Sequence, residues 1–147
     1  MIGGGSDQKP DLKSLKECRQ LIELDGSYEF FPNSTMFHPR VGHAACANGD
    51  TGIVVTGSKV DGHRDSCEFF DLKSNFWLDL QRLNEARHYH SSCSFNCKQI
   101  YVFGGAIPGI NSSQSSKYIN SIEMLDISKI INQQMTKWIT IHLSAKS

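Results

Sequence analysis

Three groupings of side chains in this sequence have the types and spacing to do chemistry. His90-x2-Cys93-x3-Cys97 offers an imidazole and two thiols, and zinc is held by four such nitrogen and sulfur ligands in a tetrahedron. His88 and His90 alternate, which on a strand puts both rings on one face, where a pair can ligate a metal. Cys67, with His63 and Asp65 just before it, supplies the three types of a cysteine nucleophile, its base and an orienting acid. Each grouping falls short. The zinc set stops at three ligands, and nothing around Cys67 suggests a lowered thiol pKa. Gly3-Gly4-Gly5 is not a phosphate loop, because no Lys-Ser/Thr follows it before a helix.

The stronger objection is repetition. Arg87, His90, Cys93, Ile100, Val102 and Gly104 stand 47 residues after Arg40, His43, Cys46, Ile53, Val55 and Gly57, six identities in one register without a gap. Ligand-like residues that recur at equivalent positions are expected to pack against neighbours in each repeat, so His90 and Cys93 are predicted to be core residues rather than ligands. A fixed period of this size marks a repeat architecture.

The elements that would position these residues read as short strands. In residues 40–86, Gly42 to Ala47 is a strand of small residues and Asn48-Gly49-Asp50 a turn. Ile53-Val54-Val55 follows, a run without alternation that suits burial on both faces. Cys67 to Asp71 and Phe76 to Leu80 are the third and fourth strands of a meander. Residues 87–143 repeat the pattern, with a longer loop over 105–120 and a longer turn before Trp138; 144–147 is a tail. Residues 1–39 read loosely as the last three strands of another copy. Asp25-Gly26 makes a hairpin there, and Tyr28 stands in the place of Trp77 at an offset of 49. The spacing of Leu12, Leu15, Cys18, Leu21 and Ile22 also fits one face of a helix, and both readings of 11–24 stay open.

Bulk properties exclude several classes. Fifteen basic and fifteen acidic residues cancel, and no basic stripe runs between the aromatics, which argues against nucleic acid and anionic membranes as partners. No apolar run reaches the length of a membrane helix. Five cysteines without a secretory leader predict reduced thiols, in the cytoplasm or nucleus rather than outside the cell. No cofactor or metal is expected.

An arginine, a histidine three residues on, an apolar strand into glycines, then Glu-x-x-Asp and a tryptophan: this ordered set resembles the Kelch repeat. It stands as Arg40, His43, Gly57, Glu68, Asp71 and Trp77 in one copy, and as Arg87, His90, Gly104, Gly105, Glu123, Asp126 and Trp138 in the next. Ser58 departs from the pattern, standing where a second glycine belongs. The resemblance covers about residues 40–143 well and implies an all-β chain. Each repeat would be one antiparallel four-stranded blade of a β-propeller, with the first strand lining the channel. The glycines would allow close backbone packing, and the tryptophan would fill space between blades. The arginine and the Glu/Asp pair would satisfy one another.

About 2.5–3 blades make an incomplete propeller, since 4 to 8 is usual. Further repeats on a longer chain, copies of this chain closing a ring, or other proteins against both end faces would complete it. The function the resemblance implies is a non-catalytic protein-interaction scaffold whose loops meet a protein partner. Two alternatives are the substrate-recognition part of a ubiquitin-ligase adaptor with a BTB domain, and a fragment of a galactose-oxidase-like copper enzyme. The contact candidates are Lys59, His63, Arg64 and Asp65 in the first long loop and Tyr118 in the second.

Overall fold

A computed structural model describes residues 14–107, 115–128 and 136–142. The chain is all-β. After a 3-10 turn at Ser14–Lys16, the strands in order are β1 (Arg19–Leu24), β2 (Ser27–Pro32), β3 (Ala44–Ala47), β4 (Gly52–Thr56), β5 (Cys67–Asp71) and β6 (Phe76–Leu80). They continue as β7 (Ser91–Phe95), β8 (Gln99–Phe103), β9 (Ala106–Ile107), β10 (Lys117–Tyr118), β11 (Ile122–Asp126) and β12 (Ile139–Ile141). Two antiparallel four-stranded sheets result: sheet I in the order β3-β4-β5-β6, and sheet II in the order β7-β8-β11-β12. β1–β2 and β9–β10 are separate hairpins. No helix among the described residues is long and apolar enough to cross a membrane.

The two sheets share one register. In sheet I, Val54 pairs with Phe69 and Phe69 with Leu78. In sheet II, Tyr101 pairs with Met124 and Met124 with Ile139. Successive residues of a strand point to opposite faces, so each sheet has a leading face, toward the preceding segment of chain, and a trailing face. The leading face of sheet I carries Ile53, Val55, Phe70 and Trp77, packed with Cys18 and Met36 from upstream. Its trailing face carries Val54, Cys67, Phe69 and Leu80. These pack with Ile100, Val102, Leu125, Ile127 and Trp138, most of them on the leading face of sheet II, and with Leu83 of the connection between the sheets. That inter-sheet layer is the main core, and it explains the unalternating Ile53-Val54-Val55 run: sheet I is covered on both sides.

Residues 19–24 are strand, not helix. Helical spacing is coincidental here, because Cys18 is buried whereas Leu21 is 51% exposed. The hairpin β1–β2 repeats the outer half of sheet I, but not with Tyr28 in the place of Trp77. Arg19↔Pro32, Gln20↔Phe31 and Leu21↔Phe30 reproduce Glu68↔Asp79, Phe69↔Leu78 and Phe70↔Trp77. Phe30 therefore occupies the tryptophan position. A tight turn with Asp25 and Gly26 at positive φ lets this hairpin run two pairs further than β5–β6 before reversing, so the offset is 49 along β1 and 47 along β2. The strand tail expected at Ile2 to Gly5, Leu12, the centre of the 105–120 loop, the turn before Thr136 and the 144–147 tail lie outside the described residues.

Candidate functional site

One buried hydrogen-bond set is built twice. Arg40 Nη1 donates to the carbonyls of Gly57 (2.9 Å) and Ser66 (2.8 Å), and Nη2 donates to Glu68 Oε1 at 2.7 Å. Arg87 Nη1 donates to the carbonyls of Gly104 (2.9 Å) and Ser121 (3.3 Å), and Nη2 to Glu123 Oε1 at 2.7 Å. Each glutamate also accepts two backbone N–H bonds from the connection leading into its sheet, Phe37 and His38 for Glu68, Asn84 and Glu85 for Glu123. All four side chains are fully buried. A charge taken out of water must be paired and hydrogen-bonded to be tolerated, and here the ion pair fixes where each connection meets its sheet. The tryptophans complete the join: Trp77 Nε1 donates to Ser34 O at 2.9 Å, and Trp138 Nε1 to Gln81 O at 2.7 Å.

The aspartates behave otherwise than expected. Asp71 accepts from Lys73 N and Ser74 Oγ, bonds that hold its carboxyl below the usual carboxylate range. Asp126 accepts from Ser128 N and Oγ. Both sit at strand ends and cap turns, and the arginines take the glutamates alone. Ser58 has no need of a glycine's freedom. Its hydroxyl donates to Pro39 O and accepts from Val41 N and Val60 N, which anchors the following loop.

Glycine and histidine meet where the sheets join. A side chain at Gly57 would lie 2.3 Å from Arg87 O and 2.6 Å from the His90 ring. His90 Nε2 is 2.8 Å from Thr56 Oγ1. Burial first, then the neighbouring Arg87, pushes its pKa down to about 3. Burial and Arg40 push His43 to about 4. Both rings are thus neutral structural groups at physiological pH.

At one end of the sheets the loops knit into a continuous surface. Ser58 N donates to Arg87 O, Lys59 N to Val41 O, Tyr89 N to Gly42 O, and His88 and Ala106 exchange both backbone bonds. Tyr89, which the repeat pattern hides between Arg87 and His90, is the feature sequence reasoning missed. It stands at the repeat position of Gly42. Both have positive φ, 63° at Gly42 and 53° at Tyr89, so a tyrosine occupies a backbone conformation that favours glycine. Its ring is 65% exposed and lies over Gly42, with Lys59 Nζ 5.9 Å from its centroid. The available signal was the repeat register itself, which sets Tyr89 47 residues after a glycine.

The five loop candidates separate. Lys59 and Tyr118 are exposed, Tyr118 at 84% on β10. The other three are half-buried and already engaged. Arg64 is ion-paired to Asp61, Asp65 accepts from Arg82 at 2.7 Å, and the His63 ring packs on His38 at 4.9 Å. Their role in the loop is first of all structural.

The candidate chemical groupings do not assemble. His90 is buried beside Thr56, while Cys93 and Cys97 are exposed. The expectation that Cys93 is a core residue fails for the same reason. Cys46 is half-buried between the sheets, but Cys93 lies on the trailing face of sheet II, which no described sheet covers. Among the described residues no three His, Cys, Asp or Glu side chains converge on a metal position. Tyr89 breaks the alternation that would have made His88 and His90 a strand pair. Cys67 is fully buried, donates to Asp65 O, and is pushed by burial up to about 12, far from a nucleophilic thiolate.

A cleft of about 390 Å³ opens between the hairpin and sheet I, lined by Ile53, Phe70, Leu72 and Trp77 with Gln20 and Asn75 at its polar side. Cys18, Arg19, Pro32 and Asn33 complete its wall on the hairpin side, and no acid–base pair faces into it. No protein-family model matches this chain, and no curated protein matches it.

Proposed function

We propose that the chain is part of a Kelch-type β-propeller, with sheets I and II as two of its blades, and that it acts as a non-catalytic scaffold presenting loops to a protein partner. The duplicated Arg–Glu–glycine set and the paired tryptophans support the repeat assignment, bond for bond. The observation that carries the scaffold reading is Tyr89. A bulky residue in the left-handed region costs about 1–2 kcal/mol, and such strain concentrates at sites of function. Here it holds a rigid, half-polar ring in solvent beside Lys59. Tyrosine supplies a large contact area at low entropic cost and is enriched at interaction hot spots. Tyr118, further out on the same end, is a second anchor.

The test replaces Lys59, Tyr89 and Tyr118 with alanine in the full chain and places a photo-crosslinking residue at position 117. The thermal midpoint stays close to that of the parent, and the protein crosslinked to the parent loop is no longer captured by the triple variant. Equal capture by parent and variant overturns the assignment of this surface.

A further inference from the structure

The hairpin β1–β2 and sheet II carry complementary halves of an interface that the molecule already makes once internally. On sheet I the trailing rows are Leu80–Cys67–Thr56–Ala44 and Leu78–Phe69–Val54–Cys46. They are mostly buried beneath sheet II, with Val54 and Cys67 at 0% and Phe69 at 4% exposure. The same rows on sheet II read Ile141–Ile122–Phe103–Ser91 and Ile139–Met124–Tyr101–Cys93. They are as apolar, yet Ile139 is 56% exposed and Phe103 and Ile141 are each 37% exposed. A contiguous bare apolar sheet face marks an interaction site.

What covers a trailing face is visible inside the chain: a leading face with an aromatic and an aliphatic residue, as Trp138 and Leu125 pack on Val54, Cys67, Phe69 and Leu80 of sheet I. One leading face has no described strand laid against it. On the hairpin β1–β2, Leu21 and Phe30 take the positions of Phe70 and Trp77, and they are 51% and 49% exposed, with Tyr28 beside them at 65%. We infer that a second copy of this chain docks head to tail, laying the outer face of its β1–β2 hairpin on the trailing face of sheet II. The occupant is a copy rather than an unrelated protein because both halves of the match lie on one chain. It is head to tail because a trailing face against its own kind would leave the hairpin bare. Such a heterologous contact closes into a ring or grows into an open assembly.

Sedimentation equilibrium on the full chain tests this with two variants at exposed positions, Ile139→Glu on sheet II and Leu21→Glu/Phe30→Glu on the hairpin. The parent sediments as a multiple of 16.4 kDa. Each variant alone falls to the single-chain mass, with unchanged tryptophan fluorescence showing that its sheets are intact. The two variants mixed form a dimer and nothing larger, because each retains the half the other has lost. A parent at the single-chain mass across the whole concentration range overturns the proposal. So does a hairpin variant that still dimerises alone, which would show sheet II pairing with itself. A mixture that stays at the single-chain mass likewise overturns it, leaving these faces to a different protein.

Discussion

Arg40 and Arg87 occupy the same place in two copies of one design, and they are not equally well satisfied. Arg40 meets one carboxylate, Glu68, and its buried Nε has no partner. Arg87 meets Glu123 and also Glu85, whose Oε2 lies 3.5 Å from Nη2. Its Nε donates to Glu85 O, and its Nη2 reaches Ser121 Oγ, which itself donates to Glu85. The difference traces to one position of the repeat. Where the second copy has Glu85, the first has His38, which turns outward to Asp79 at 3.1 Å. The lesson is that the repeat fixes the minimal join of arginine, glutamate and two carbonyls, and that residues outside the motif decide how robust each join is.

Removing the glutamates is the most forceful way to break this comparison. Glu68→Ala leaves Arg40 buried with no anion and frees the N–H groups of Phe37 and His38, so it should cost about 3–5 kcal/mol, the range for an orphaned buried charge. Glu123→Ala leaves Glu85 within reach of Arg87 and should cost less by about 1 kcal/mol or more, the worth of a charged hydrogen bond. Denaturant titration of both variants measures this. Equal losses would show that Glu85 contributes nothing to the second join.

The tryptophans test the sameness of the two copies. Trp77 and Trp138 are 2% and 4% exposed, and each spends its indole N–H on a carbonyl of the preceding connection. Alanine at either should cost about 3–5 kcal/mol. Among the described residues the segment opposite Trp77 is the two-stranded hairpin β1–β2, and a cleft opens beside Phe70 and Trp77. Trp138 packs against a complete sheet, so its loss should be the greater of the two. The reverse order would mean that the hairpin closes over sheet I more tightly than the cleft indicates.

These contrasts mark how far the sequence could be read. Strand positions and the paired motif were legible because the same residue types recur in the same order, and the arginines, glutamates and tryptophans of the two copies make corresponding bonds. The role of Asp71 was not, because a turn-capping aspartate and an arginine partner look alike in sequence. Nor was the fate of Cys93. The repeat predicts which face a residue takes, but only the neighbouring sheet decides whether that face is covered. Tyr28 was misplaced because the two strands of a hairpin can carry different offsets when the turn between them shortens.

Acid probes His43 and His90, of which His90 sits where the two sheets join. His43 and His90 have native pKa values near 4 and 3, below the unfolded value of about 6.5. The unfolded chain therefore binds more protons across this interval, and stability is full above pH 6.5 and falls as the pH drops toward the native values. By pH 5 the loss should be roughly 2 kcal/mol per histidine. Thermal melts at pH 7.5 and 5.0 read the sum over these and the other downshifted histidines, His63 and His88, and His90→Gln should make the loss measurably smaller. An unchanged sensitivity in that variant would place the titrating groups elsewhere.

The smallest effect separates Gly42 from Tyr89, the same repeat position filled by opposite residue types. Gly42→Ala adds a Cβ 2.7 Å from the Tyr89 ring at a φ of 63°, so strain and overpacking together should cost about 1–3 kcal/mol. Tyr89→Gly relieves backbone strain but gives up the ring's packing on Gly42, and the two changes should cancel to within about 1 kcal/mol. A tyrosine retained for stability would instead make Tyr89→Gly as costly as Gly42→Ala. Near-neutral stability combined with loss of the crosslinked partner would identify Tyr89 as a residue held in strain for binding, a role that Gly42 at the same position of the first copy cannot fill.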